Sequence, residues 1–114
     1  MTIEEFLDLP NSLEARAWLQ GGTSQLRTLG ELPSNQASID LVDGVYELGA
    51  KKVTAIGIVC YEPGDENTGK IVVTLPDDKI ARERLFNWCA EQARAQGFDP
   101  EEEVGQEHLF VSLD

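Results

Sequence analysis

Positive charge, histidine and cysteine are all scarce in this chain, and each shortage removes a class of function. Nine Lys and Arg stand against 21 Asp and Glu, a formal net charge of −12. A nucleic-acid backbone demands a basic footprint that displaces counterions, and an anionic membrane surface makes the same demand. The composition therefore predicts no nucleic-acid partner and no membrane partner. A lone histidine, His108, excludes a multi-histidine metal site within one chain. Cys60 and Cys89 are too few for a disulfide framework and lie in apolar contexts, so both are expected as reduced, buried thiols. No apolar run approaches the roughly 20 residues of a membrane span. The start, Met1-Thr2-Ile3-Glu4-Glu5, carries acids where a secretory leader needs a basic region. The expected location is cytoplasmic.

Phosphate and nucleophile signatures are missing too. There is no G-x-x-x-x-G-K-[ST] loop, Gly44, Gly49 and Gly57 are too scattered for a dinucleotide fingerprint, and no G-x-S-x-G elbow occurs. No cofactor is expected. What remains is ordinary globular composition, 41% hydrophobic and 26% charged over 114 residues, enough for one domain with a core that needs no staples.

The N-terminal stretch carries short helical signals. Thr2 and Glu5 have capping-box spacing ahead of Phe6 and Leu7, and Pro10 ends the turn. Asn11 or Ser12 can cap a second helix through Gln20, presenting Leu13, Ala17 and Trp18 and stopped by Gly21-Gly22. Residues 26–32 suit either a short strand or a packed loop. From Ser38 the signals sharpen: Ser38 caps a helix with an apolar stripe of Leu41, Val42, Val45 and Leu48, closed by Gly49. A β-rich run follows over residues 53–61, then a turn by composition over 62–69, then a strand from Lys70 to Leu75. Asp77 or Asp78 caps the longest helix, which runs to about Gln96 on an inner ladder of Ala81, Leu85, Cys89 and Ala93. The polar loop Asp99-Pro100-Glu101-Glu102-Glu103 leads to a last strand over residues 108–113.

This order predicts an α+β, two-layer α/β sandwich with an antiparallel sheet. It divides into an N-terminal helical extension (1–22) and a sandwich domain (23–114), one globular unit overall. With a strand at 26–32 the order resembles the ferredoxin-like superfold (βαββαβ); without it, αββαβ. In that scheme Ile56, Ile58 and Cys60 lie under the helices. Ala55, Gly57, Val59 and Tyr61 then face outward with His108 and Phe110. That outer face is too apolar to be simply solvated. The N-terminal helices, with Phe6 and Trp18, or a second copy of the chain should cover it.

Candidate chemistry is thin. Cys60 and His108 fall on opposite sheet faces in this register, and Glu107 points away from His108, so no catalytic residue is assigned. The carboxylates of Glu62, Asp65 and Glu66 and those of Asp99, Glu101, Glu102 and Glu103 do not match a calcium loop, and no metal ligand is assigned. Asp77-Asp78 suits capping better than acid/base work. Gly105-Gln106-Glu107-His108 could line a small polar pocket. The expectation is a non-enzymatic protein-interaction domain that binds a basic protein partner or self-associates through its sheet, with Trp18, Val59, Tyr61 and Phe110 as interface residues. The alternative is a regulatory small-molecule-binding module.

Overall fold

Each helix begins where a side chain accepts the free N–H groups of its first turn. The computed structural model describes residues 2–21, 26–61 and 64–114; Met1, Gly22 and the 22/23 boundary, residues 23–25, and Glu62 and Pro63 of the expected turn lie outside the described residues. Helix α1 (Ile3–Leu7) starts at Thr2, whose hydroxyl accepts from the Glu5 amide at 3.2 Å. The second helix starts later than expected. Ser12 donates to the Phe6 carbonyl (2.7 Å), the chain makes a two-residue strand, β1 (Leu13–Glu14), and the Glu14 carboxylate then caps α2 (Ala15–Gln20). Helix α3 (Asn35–Glu47) starts a turn before the expected Ser38, at Ser34, whose hydroxyl accepts from the Ala37 amide. Ser38 is instead fully buried. Its hydroxyl accepts from Leu29 N–H (2.9 Å) and donates to the Ser34 carbonyl (3.1 Å). Asp78 caps α4 (Lys79–Ala95) as expected.

The strands divide into two sheets. The main sheet adds β3 (Lys52–Ala55), β6 (Lys70–Thr74) and β7 (His108–Ser112) to β1 in the order β1-β3-β6-β7, antiparallel throughout. The small sheet has the order β2 (Arg27–Leu29), β5 (Asp65–Thr68), β4 (Val59–Tyr61), with β2 parallel to β5 and β4 antiparallel to it. The described residues thus form a mixed α+β fold with four helices, none of which is long and apolar enough to cross a membrane.

Three expectations are corrected by this topology. The run over 53–61 is not one strand: Gly57, at φ +66°, turns the chain out of the main sheet, and the alternation restarts beyond it. Val53 and Ala55 therefore face the helices, Ile56 is buried outside that core, and Cys60 is exposed; of the expected inner trio only Ile58 joins the core. Residues 65–68, expected as turn, form β5. The ferredoxin-like order is not the order found. It would place the first strand between β6 and β7, whereas β2 lies in the other sheet and β7 pairs directly with β6, antiparallel. Connection length explains the direction of β7. Helix α4 is 17 residues, about 25 Å long at 1.5 Å per residue. Residues 96–107 can reach about 40 Å when extended, enough to carry the chain back along the whole helix before β7 begins.

One core lies between the main sheet and helices α2, α3 and α4. It contains Trp18, Leu19, Val42, Val45, Val53, Ile71, Val73, Leu85, Leu109 and Val111. On the opposite face, Phe6 of α1 meets Phe110, the ring centroids 6.2 Å apart. Of the two side chains expected to cover that face, Phe6 lies there. Trp18 is in the core, 3% exposed, with its indole N–H donating to Glu66 at 3.1 Å.

Candidate interaction groove

The residues between α4 and β7 form a strap that returns alongside the free edge of β7. Arg82 fixes its far end: the guanidinium donates to Glu103 Oε1 at 2.7 Å and to the Gln106 carbonyl at 3.0 Å. The Arg82 guanidinium, against an opposing desolvation and with help from the Gly105 amide, holds the Glu103 carboxyl below its ordinary range. Gln106 ties the strap to itself, donating to the Glu102 carbonyl and accepting from the Val104 amide. Among the described residues no backbone hydrogen bond joins residues 98–105 to β7. One side chain makes the link instead: the Glu101 carboxylate accepts from the Phe110 N–H at 2.9 Å.

Between strap, helix and strand runs an open groove of about 360 Å³. Phe86, Cys89 and Ala93 of α4, Phe98 of the strap and Val111 of β7 supply its apolar lining, and Phe110, whose ring lies on the other sheet face against Phe6, borders it; Asp99, Glu101 and Asp114 supply carboxylates, and Lys70 a cation. Burial first, and the negative charge of Glu101 second, push the Cys89 thiol up to about 12. The groove is thus an apolar slot with exposed carboxylates around it, and the Cys89 thiol in its wall stays protonated at neutral pH.

The backbone of β7 matters as much as its side chains. In an antiparallel strand alternate residues direct their N–H and C=O to opposite sides. Leu113 N–H reaches the Gly69 carbonyl, toward β6, so the amides of Ser112, Phe110 and His108 point to the free edge. An edge of this kind presents a row of unpaired donors and acceptors.

Of the expected interface residues, Phe110 borders this groove and Trp18 is buried away from it. Val59 and Tyr61 are 47% and 56% exposed on β4, where they line a separate shallow cleft with Phe6, Ile56 and Asn67. Cys60 and His108 belong to different sheets. His108, Glu107 and Gln106 do line a cleft, facing Ile3 and Glu4 of α1. Glu66 accepts from Trp18 and makes an ion pair with Arg27 at 3.3 Å, an approach too oblique for a hydrogen bond. No three His, Cys, Asp or Glu side chains among the described residues are placed to hold a metal ion. The sequence reading missed the strap as one side of a groove. Phe98, 57% exposed, and Val104, 77% exposed, were the available signal, two apolar residues in a polar segment. No protein-family model, curated protein or solved structure matches the chain.

Proposed function

We propose that this chain is a non-enzymatic protein-interaction domain whose groove between α4 and β7 receives a basic segment of a partner protein. The observation that carries this reading is the apolar lining of Phe86, Phe98 and Val111 beside the exposed carboxylates of Asp99, Glu101 and Asp114. Apolar contact supplies affinity that is insensitive to salt, and the carboxylates steer a cationic partner and reject an anionic one. The net charge of −12 acts in the same direction over the whole surface. It also disfavours self-association at this edge, because two copies would bring their own carboxylates together. Phe6 packed on Phe110 lessens the need for a second copy on the opposite sheet face.

Groove volume favours a second reading, a regulatory small-molecule site, since about 360 Å³ falls within the range of roughly 300–1,000 Å³ typical of ligand pockets. Amide chemical-shift mapping distinguishes the two. An amidated nine-residue peptide alternating lysine and valine should shift resonances of Phe86, Ala93, Phe98 and residues 110–112 together. Shifts spread evenly over the acidic surface, or none at millimolar peptide and low salt, overturn the peptide reading. A rise in Tm with a neutral or anionic metabolite, and none with the peptide, supports the second reading in its place.

A further inference from the structure

We infer that the free edge of β7 accepts one extended basic segment of a partner protein as an added strand, with Glu101 guarding that edge and releasing the Phe110 amide as the segment enters. The inference rests on the groove being the partner site and adds how the partner is held.

The free side of β7 is half finished. Phe110 directs both its N–H and its C=O outward, and a carboxylate that is not part of any strand occupies the N–H. Strap residues 98–105 make no ladder hydrogen bond to β7; the Glu101 side chain alone reaches the strand, and strap, strand and α4 together line the groove. An incoming strand opposite Phe110 replaces one bond to Glu101 with a donor and an acceptor of its own, and continues to the Ser112 amide. Successive side chains of a strand alternate between faces. One set would meet Phe86, Cys89 and Val111, and the other would pass Asp99, Glu101 and Asp114. The segment that fits therefore alternates apolar and basic residues. Once displaced, Glu101 is free to pair with one of those basic residues. Its carboxylate thus excludes acidic and neutral strands while the site is empty and rewards a cationic one when it fills.

The test uses the full chain and the lysine–valine peptide, with a second peptide carrying proline at its central position. Strand addition predicts slowed hydrogen exchange at the Phe110 and Ser112 amides with the first peptide, and at least tenfold weaker binding of the proline peptide, which lacks a central N–H. In 0.5 M salt, where attraction at the rim is largely screened, Glu101→Ala should bind the first peptide severalfold more tightly than the unaltered chain. Equal binding of both peptides at the groove, with no protection of Phe110, overturns strand addition and leaves the basic-partner reading standing. Weaker binding by Glu101→Ala in high salt overturns the guarding role. Absence of any groove-centred shift overturns both readings together.

Discussion

Replacing Tyr46 with phenylalanine probes the place where β1 runs out. That strand covers only Ala55 and Thr54 of β3, so the next N–H on that side, from Val53, has no strand to bond to. The Tyr46 hydroxyl accepts it at 3.0 Å and donates to Glu14 Oε2 at 2.7 Å. Burial and the bond to Glu14 hold the Tyr46 pKa above its ordinary value, so the hydroxyl is a donor at neutral pH. Phenylalanine keeps the ring beneath Arg16, whose guanidinium carbon lies 4.5 Å from the ring centroid, and removes only the hydroxyl. A half-buried bond to a carboxylate contributes about 1.5 kcal/mol, and a stranded Val53 N–H costs about 1 kcal/mol more. With an unfolding entropy of roughly 2 cal/mol/K per residue, the expected loss of about 2.5 kcal/mol lowers Tm by about 10 °C. Circular-dichroism melts and urea titrations of Tyr46→Phe, Glu14→Gln and the double variant give the pair's coupling, expected at about 1 kcal/mol. The pH dependence has a definite sign. Burial pushes the Glu14 carboxyl up, but the donors Tyr46, Ala17 and Arg16 outweigh it and leave the pKa below its ordinary 4.5. A carboxyl lowered on folding stabilises the fold above the ordinary value and loses that contribution as pH falls through the lowered one. The gap between the unaltered chain and Tyr46→Phe should therefore narrow in acid. A Tm change under about 2 °C, or strictly additive single variants, would refute this account.

Thr54 is 3% exposed and its hydroxyl finds no partner among the described residues, so Thr54→Val should raise stability by about 1 kcal/mol in urea titration; a loss would mean that the hydroxyl is bonded. Gly57→Ala, at φ +66° in open space, should cost about 1 kcal/mol. Gly30→Ala, at φ +53° with a new Cβ only 2.7 Å from the Leu113 carbonyl oxygen, should cost clearly more, and equal midpoints would refute the close approach. Exposed Cys60 should react with an aromatic disulfide reagent in the folded protein at pH 8, while buried Cys89 reacts only in denaturant. Two thiols reacting at once in the folded protein would show that the Cys89 sulfur is accessible from the groove.

Elements that announce themselves locally were legible in the sequence. Thr2, Asp78, Gly49 and Gly97 mark helix ends by side-chain capping or left-handed backbone, and the alternation of Leu109, Val111 and Leu113 gives β7 its buried face. Partnership over distance was not legible. Asp65-Glu66-Asn67-Thr68 has turn composition and becomes a strand because β2 and β4 flank it and Asn67 bonds to Thr28 and the Gly30 carbonyl. The break at Gly57 moved the inner face from Ile56 to Ala55, a one-residue change that no periodicity within 53–61 reveals. The place of Phe110 on the strand sets it on the outer sheet face, where Phe6 meets it. The groove beside it depends on a strap whose acids, taken alone, resemble any solvated loop.

The brevity of β1 also bears on how far association through the main sheet can go. A sheet that is open at both margins can extend copy upon copy into a fibre. Here one margin ends in two residues, with the next amide already taken by Tyr46, and offers too little backbone for a neighbour to grip. The opposite margin, along β7, is the one that can take a guest strand. Under the proposed strand addition, growth through this sheet would terminate after one guest strand, and the expected stoichiometry is one to one in place of a polymer.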